Sequence, residues 1–307
     1  MELNWLEDFL ALAEHRNFSR AAEARNVTQP AFSRRIQALE AWVGTPLVLR
    51  SPRGVTLSAA GDALHEGAAG LVRDLRQMRR AALRAAGREG TALTIAATHA
   101  LSFTFFPGWI RSFAALESLG TLNLVSDTMV ACERILLAGE ADFLLCHTAA
   151  DVLPDLTPDR FTSLAVGADV LLPVSAPDEN GAPRWVLPGS PDAPVRFLAY
   201  SAASGLGRIL EAAWRSAGEA PCFDPVFTSP LAAALQTMAR QGQGLAWLPR
   251  SMAADDLAAG HLVEAGGTPI KVEIRLFRPR RRQSATAEAF WETLSRQPSS
   301  QQASDGG

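Results

Sequence analysis

The stretch that decides the fold of the N-terminal part runs from Asn17 to Gly44 and reads NFSRAAEARNVTQPAFSRRIQALEAWVG. Its closely spaced alanines predict a short helix that packs tightly on its neighbours, with Ser19 as the N-cap. After a brief turn, Thr28 is predicted to cap the next helix. Pro30 then falls in the first turn, where a missing N–H costs no helical hydrogen bond. The sequence therefore predicts two helices joined by a tight turn.

The second of these helices has two different faces. Ile36, Leu39 and Val43 recur at helical spacing, and we assign them to the core with Trp42 beside them. The opposite face is polar and basic, and it carries Pro30, Ser33, Arg34 and Gln37. This second face is expected to be free to contact another molecule.

The flanking segments extend this unit on both sides. Apolar residues spaced by three and four from Leu3 onward predict a helix that ends near His15. On the other side, Leu47–Leu49 and Gly54–Leu57 are expected to form two short strands around the turn Arg50-Ser51-Pro52-Arg53. Together these segments predict a winged helix-turn-helix.

A long helix follows the wing. We expect Ser58 to cap a helix from Ala59 to Ala86, about 40 Å long at 1.5 Å per residue. Its apolar residues alternate steps of four and three, which is typical of a helix that packs lengthwise on another helix. We expect the partner to be a second subunit, contacted through Leu64, Leu71, Leu75 and Met78.

Charge is distributed unevenly along the chain. Residues 1–90 hold 13 Arg against 10 acidic residues, whereas the other 217 residues hold 16 basic against 22 acidic ones. A basic block on an acidic body favours a module that binds a polyanion. No apolar run reaches the 18 or so residues of a membrane span, and no basic segment precedes an apolar one at the N-terminus. With three scattered cysteines in addition, we expect a cytoplasmic protein.

From Leu93 the pattern changes to alternating strands and helices, which predicts an α/β body. Gly87–Gly90 is the expected domain boundary, and the tail from Gln297 is expected to be disordered. Connected by parallel crossovers, such strands place ligand sites at their C-terminal ends. The expected strands are Leu93–Ala97, Leu122–Val125, Phe143–Cys146, Val170–Val174, Val195–Tyr200, Phe223–Thr228, Gly244–Leu248 and Val272–Phe277.

A set of residue types at fixed spacing runs through the first 66 residues, namely Leu6–Leu10, Arg16–Ala22, Val27–Ile36, Leu39-Glu40, Gly44–Leu47, Arg50 and Leu57–Gly61. This part of the chain resembles the winged helix-turn-helix of LysR-type transcriptional regulators. Late in the chain, Gly242–Pro249 is similar to another segment of that family, so the resemblance covers nearly the whole chain. Within the family, Ala96–Ser102 together with the segments at Arg16 and Pro30 most resembles an oxidant-responsive, hypochlorite-type branch.

This resemblance implies an α/β fold class with an α-rich winged helix-turn-helix N-terminal domain and a two-subdomain effector domain like periplasmic binding proteins. It implies homodimers or homotetramers that bind double-stranded DNA at an interrupted dyad, with RNA polymerase as a further partner. The expected domains are 1–58 for DNA binding, 59–90 for the dimerisation helix, 91–297 for effector binding and 298–307 for the tail. The two subdomains are expected at 91–162 plus 268–297 and at 163–267.

In such modules the first turns of the second motif helix meet base edges, while wing residues touch phosphate or the minor groove. Arg pairs best with guanine and Gln with adenine. A run of basic residues at 278–282 is interpreted instead as a solvent-exposed loop. The predicted DNA-binding residues are Thr28, Gln29, Pro30, Ser33, Arg34, Arg35, Gln37, Arg50 and Arg53.

We expect the effector site between the two α/β subdomains, where polar residues follow several strands. Each hydroxyl can simply cap the next helix, but four such loops converging on one cleft favour a site for a small anion. The expected residues are Thr98, His99, Leu101, Ser102, Ser126, Thr128, Met129, Tyr200, Ser201, Ser204, Thr228, Ser229 and Trp247.

Other functions receive less support from the sequence. It contains no GxSxG, HExxH, P-loop or Rossmann motif, so we expect no catalytic residues, metal or cofactor. Each of Cys132, Cys146 and Cys222 is interpreted as a small buried residue rather than a sensor. An α/β solute-binding protein or an enzyme with an accessory N-terminal domain stays open as the alternative, although neither explains the basic winged module.

Overall fold

The structure is a computed structural model. It describes residues 2–51, 54–86, 92–111, 121–149, 152, 154, 156–218 and 221–296. The chain divides into two compact units. The N-terminal unit is Met1–Arg88 with Leu137–Glu140, and the regulatory unit is Glu89–Leu136 with Ala141–Gly307. The predicted boundary at Gly87–Gly90 and the tail from Gln297 lie outside the described residues.

The N-terminal unit contains four helices and a two-stranded antiparallel wing among its described residues. Its core is formed by large apolar side chains of the first and third helices, closed on one side by Ala68 and Val72 of the long helix. The elements are α1 (Leu3–His15), α2 (Phe18–Ala24), α3 (Gln29–Val43), β1 (Val48–Ser51), β2 (Gly54–Leu57) and α4 (Ala59–Ala85).

Two local expectations in this unit are wrong. The N-cap of α2 is Asn17 and not Ser19, because the Asn17 side chain accepts a hydrogen bond from the N–H of Arg20 at 3.1 Å. Trp42 does not join the core, since 57% of it is exposed. It lies in the last turn of α3.

The regulatory unit alternates strands and helices. Its elements are β3 (Ala92–Thr98), α5 (His99–Thr104), α6 (Phe106–Arg111), β4 (Thr121–Asp127), α7 (Met129–Leu137), β5 (Phe143–Thr148), β6 (Phe161–Ser175), β7 (Val195–Tyr200), α8 (Gly205–Ala217), β8 (Phe223–Ser229), α9 (Ala232–Arg240), β9 (Ala246–Pro249), α10 (Arg250–Ala258), β10 (Val263–Glu264), β11 (Ile270–Pro279) and α11 (Ala285–Arg296).

The sheets are mixed, and not purely parallel as the alternating pattern suggested. β3 pairs in parallel with β4 and β5, and β7 pairs in parallel with β8. The two longest strands, β6 and β11, run antiparallel to each other, and β6 also pairs antiparallel with β9 and β10. A sequence pattern of short parallel crossovers does not predict two long antiparallel strands that are far apart in the sequence.

Two hydrophobic cores divide the regulatory unit into two lobes. Lobe I is packed around Phe143, Phe290 and the strands β3 and β5. Lobe II is packed around Leu198, Leu235 and Trp247. β6 begins in lobe I and ends in lobe II, so the strands β6 and β11 connect the lobes.

Arg278 corrects the interpretation of residues 278–282 as a solvent-exposed loop. It is buried and donates two hydrogen bonds to the carboxylate of Glu288, at 3.0 and 2.6 Å. Its guanidinium also lies 5.3 Å from the ring centroid of Trp291. Arg278 therefore holds α11 against lobe I.

Candidate functional site

The exposed face of α3 presents the predicted DNA-contacting residues Gln29, Pro30, Arg34 and Gln37 to solvent. Thr28 is the N-cap but accepts no hydrogen bond through its side chain, and Ser33 is half-buried. Arg34 makes no ion pair within the described part of the chain. This face has the polar and basic character that base readout requires.

Arg35 has a different environment from Arg34. Its Nη1 lies 3.2 Å from Oδ2 of Asp8, and Arg25 donates to the other oxygen of the same carboxylate at 2.8 Å. Asp8 is fully buried, so both guanidiniums neutralise a charge beneath the domain surface. Arg35 thus ties α3 to α1 besides lying beside the exposed face.

The wing arginines are only partly covered by the structure. Arg50 lies in β1, and its side chain is outside the described residues, as is the whole of Arg53. The backbone of the wing is anchored at Val55, whose N–H donates to the carbonyl of Arg16 at 3.2 Å. Their DNA contacts stay predictions.

The regulatory unit contains a small cavity between lobe I and lobe II. Its volume is about 20 Å³, which is room for one water molecule or an ion of similar size. It is lined by Thr98, His99, Ala100, Asp127, Thr128, Met129, His147, Ser204, Gly205, Leu206, Pro230 and Ala232. The ends of β3, β4, β5, β7 and β8 thus converge on one point.

Five of the thirteen predicted effector residues line this cavity, namely Thr98, His99, Thr128, Met129 and Ser204. The other eight lie elsewhere for identifiable reasons. Leu101 is fully buried in the core of lobe I, and the hydroxyl of Ser102 donates back to the carbonyl of Thr98.

Ser126 lies beside the cavity, where its Oγ is 3.0 Å from Nδ1 of His99. Ser229 accepts from the N–H of Leu231 and so starts the turn before α9. Tyr200 donates its hydroxyl to the carbonyl of Trp247 at 2.9 Å. The remaining predicted residues, Ser201 and Thr228, do not reach the cavity either.

His147 and Asp127 are lining residues that the sequence reasoning missed. His147 is buried near the end of β5, and its Nε2 lies 3.8 Å from Oδ2 of Asp169. Asp127 accepts from the N–H of Thr128 at 2.7 Å. The available signal was position, because both residues lie at the ends of strands that point into the cavity.

The polar groups of the cavity favour a ligand that accepts hydrogen bonds. Thr128 and Ser204 cap the N-termini of α7 and α8, where their oxygens accept from Ala131 N and Gly207 N. The hydroxyl oxygen of Thr98 is buried and has no hydrogen-bond partner. A buried hydroxyl left without a partner costs free energy that a ligand in the cavity would recover.

Lobes I and II are joined beside the cavity by an ion pair. Arg208 of α8 donates to both carboxylate oxygens of Glu133 in α7, at 2.8 and 3.1 Å. Glu133 is buried, and the N–H of Val130 also donates to the carbonyl of Ala203 at 3.4 Å. Because Glu133 neutralises Arg208, this guanidinium is not available to a ligand.

The cysteines are all free, and two of them are poorly suited to reaction. Burial raises the pKa of Cys132 to about 12. Burial also raises the pKa of Cys146 well above its usual value, with the nearby Glu133 carboxylate adding to this effect. A thiol with a raised pKa is a poor nucleophile at neutral pH.

Among the residues that the structure describes, no helix is long and apolar enough to cross a membrane. No three His, Cys, Asp or Glu side chains in the described ranges are grouped as metal ligands.

Comparison with known proteins gives the family. Residues 3–62 match the bacterial regulatory helix-turn-helix proteins of the lysR family, and residues 86–299 match the LysR substrate binding domain. The HTH-type transcriptional regulator YjiE of Escherichia coli K12 is 32% identical over 297 residues, which cover 96% of this chain and 94% of that protein.

Solved structures agree with this assignment. Vibrio fischeri DarR, solved in complex with DNA, is 31% identical with a TM-score of 0.56, over 97% of this chain and 99% of that one. Full-length HypT of Salmonella typhimurium, described as hypochlorite-specific, is 30% identical with a TM-score of 0.56, over 96% and 97%. The HypT regulatory domain has also been solved with a bromide ion, at 25% identity and a TM-score of 0.54, over 66% and 93%.

The two family matches cover both units: the first includes the exposed basic face of α3, and the second includes the interlobe cavity. The chain belongs to the LysR-type family of DNA-binding transcriptional regulators with an effector-binding domain.

Proposed function

We propose that this regulator couples a small monovalent anion in the interlobe cavity to DNA binding by the N-terminal unit. The observation that carries the proposal is the buried hydroxyl of Thr98, which lacks a hydrogen-bond partner in a cavity of about 20 Å³. The N-termini of α7 and α8 add the positive ends of two helix dipoles. The bromide ion bound to the HypT regulatory domain supports an ion of this size.

The charges around the cavity restrict the ligand further. Asp127 lines the cavity, and Arg208 is already neutralised by Glu133. A dianion would therefore meet one carboxylate and no free guanidinium, so a monovalent anion fits best. A larger effector requires the lobes to separate.

At the N-terminal unit we propose that Gln29, Arg34 and Gln37 contact base edges in the major groove, with Thr28, Pro30, Ser33 and Arg35 at the margin of the same surface. Arg50 and Arg53 of the wing are proposed to contact phosphate or the minor groove. We place the complex at an interrupted dyad in the cytoplasm, with the protein acting as a homo-oligomeric regulator and not as an enzyme. The DNA in the DarR structure supports this placement.

An oxidant is a second candidate signal because HypT is described as hypochlorite-specific. In this chain the raised pKa values of Cys132 and Cys146 argue against a route through either of these two thiols. Met129 is the sulfur-containing residue that lines the cavity, and it is buried there. An oxidant that acts at this site would meet Met129 first.

The anion proposal is tested by measuring the melting temperature of the protein at increasing bromide concentrations. Potassium gluconate is replaced by potassium bromide at constant ionic strength, and Thr98→Val is compared with Thr104→Val. Thr104 is the last residue of α5, the helix that begins directly after Thr98, but it donates to the carbonyl of Ala100 and does not line the cavity. Any effect of bromide on stability that does not come from binding in the cavity should be the same in both variants.

We expect bromide to stabilise the wild type and Thr104→Val, by about 2.7 kcal/mol at one hundred times the dissociation constant. Thr98→Val should lose this stabilisation and keep its affinity for the operator in gluconate. An equal response of both variants would place the anion elsewhere. Treatment with hypochlorite in the same assay, followed by mass spectrometry of Met129, tests the second candidate.

A further inference from the structure

The regulatory unit has a second and larger concavity on the strands that join the lobes. Its cavity volume is about 820 Å³, within the range of sites for small organic molecules. This groove, which we call the hinge groove, is lined by Ala149, Ala168, Asp169, Val170, Arg250, Ser251, Ala254, Lys271, Val272 and Glu273.

The position of the hinge groove follows from strand pairing. β6 pairs with β11 up to Leu171, and from Leu171 to Val174 it pairs with β9 of lobe II. β11 pairs with β5 of lobe I from Glu273 onward. The groove residues 168–170 and 271–273 therefore lie where both strands pass from one lobe to the other.

The floor of the groove is apolar, formed by three alanines together with Val170. One carboxylate beside it, Asp169, is already occupied. Its oxygens accept hydrogen bonds from the Ser251 hydroxyl at 2.6 Å and from the N–H of Val170 at 2.7 Å. The apolar floor thus suits an aromatic or branched aliphatic body.

Among the charged residues at the rim of the groove, one cationic side chain has no acidic partner in the described part of the chain. Glu273 is paired with Arg275 at 2.7 Å, and Arg250 is paired with Glu264 at 3.3 Å. Lys271 is exposed and makes no ion pair with any residue that the structure describes. An apolar floor beside an unpaired ammonium group is complementary to an amphipathic monoanion.

We propose that the hinge groove is a second effector site, which binds a small monocarboxylate with an apolar body. The carboxylate pairs with Lys271, and the body covers Val170, which is the cross-strand partner of Lys271, and Ala168 on the same face of the sheet. Occupancy acts on the interlobe cavity through Asp169, because Nε2 of the cavity residue His147 lies 3.8 Å from its carboxylate. A ligand that holds the hinge strands in one geometry shifts the equilibrium between the open and closed arrangements of the two lobes.

The chain allows a direct test, because Lys271 is its only lysine. The full-length protein is acylated with a limiting amount of an N-hydroxysuccinimide ester of acetic acid, with and without phenylacetate as the probe. Mass spectrometry then follows the acylation rate of Lys271, with the terminal α-amine as an internal reference. Phenylacetamide, which has the same body without the charge, is the matched control.

We expect phenylacetate to slow acylation of Lys271 and to leave the α-amine rate unchanged, whereas phenylacetamide should protect much less. In titration calorimetry, Lys271→Gln should weaken phenylacetate binding roughly tenfold or more, and Lys271→Arg should retain it. Ala254→Trp, at an exposed position of α10, should fill the groove and remove binding with Lys271 intact.

Absence of protection, or unchanged binding in both Lys271→Gln and Ala254→Trp, would overturn the proposal. Binding that survives these two variants but is lost in Thr98→Leu would place the acid in the interlobe cavity and would also overturn it. The melting temperature of each variant in the absence of phenylacetate shows that it is folded.

Discussion

At the scale of single residues, Arg34 and Arg35 are neighbours with different surroundings. Arg34 is exposed without an ion pair in the described part of the chain, whereas Arg35 pairs with the buried Asp8. We expect Arg34→Ala to weaken operator binding by about 1–3 kcal/mol through loss of a bidentate base contact. Binding to scrambled DNA should change less, and the melting temperature should not change.

Arg35→Ala is the matched comparison for this prediction. It removes one of two cations from Asp8, so we expect it to lower the melting temperature as well as the affinity for both DNAs. Titrations on operator and scrambled DNA at two salt concentrations, with a thermal melt of each variant, separate the two roles. Equal losses on both DNAs for Arg34→Ala would contradict direct readout.

The cysteines give a second prediction at this scale. Since burial raises the pKa of Cys132 and Cys146, the thiolate population of both is very small at neutral pH. In the native protein, iodoacetamide should modify the half-buried Cys222 first and leave the other two intact until unfolding. Peptide mass spectrometry over time measures this order. Early modification of Cys146 would show that the core of the regulatory unit opens readily.

At the scale of elements, the ion pair between α7 and α8 holds the lobes together beside the cavity. Glu133→Gln leaves Arg208 without its carboxylate, and we expect a loss of roughly 2 kcal/mol in the free energy of unfolding. The double variant Glu133→Gln/Arg208→Met should recover part of this loss, because neither charge is then left alone.

Urea unfolding of the two single variants and the double variant gives this coupling energy. The control is Glu292→Gln, which breaks the exposed pair with Arg296 on α11 at 3.2 Å. There we expect a change below about 0.5 kcal/mol. Strictly additive losses for Glu133 and Arg208 would mean that the pair contributes no more than the separate side chains.

The long helix α4 supports a prediction about assembly. Ala68 and Val72 pack on the N-terminal core, but Leu71 and Met78 are 45% and 59% exposed. Large apolar side chains exposed at heptad spacing favour contact with a second α4. Leu64 and Leu75 are half-buried in the same series.

We expect Leu71→Glu/Met78→Glu to yield folded monomers with reduced operator affinity, because one winged module contacts too few phosphates. Light scattering measures the mass, and Arg79→Glu, at an exposed position outside the heptad series, is the control. If the double variant stayed dimeric, α4 would not supply the subunit contact.

Elements differ in how well local sequence predicts them. Strand β7 has the predicted bounds Val195–Tyr200, and the helix α8 that follows it begins directly after its capping residue Ser204. The expected strand Val170–Val174 instead forms part of β6, which begins at Phe161. Residues 161–169 show no regular alternation in burial, and they pair with β11, which is more than a hundred residues away in the sequence.

At the scale of the whole molecule, the effector site also combines features that local sequence predicts with features that depend on long-range contacts. The sequence could predict that loops after β3, β4, β7 and β8 converge, since parallel strands end at one edge. It could not predict the neutralisation of Arg208 by Glu133, because that contact depends on how the lobes meet. The family resemblance predicted the two units but carried no information on which hydroxyl lacks a hydrogen-bond partner.

The last prediction follows from the separation of the cores. The apolar core of the N-terminal unit involves residues 3–72, and the two cores of the regulatory unit share no residue with it. We therefore expect two calorimetric transitions for the full chain, with a total enthalpy larger than the van't Hoff value of a single transition. Operator DNA should raise only the transition of the N-terminal unit, and Glu133→Gln should lower only the other. A single transition that moves as a whole with either change would show that the two units unfold as one, and signal transfer would then have to operate through a rigid body rather than between separable units.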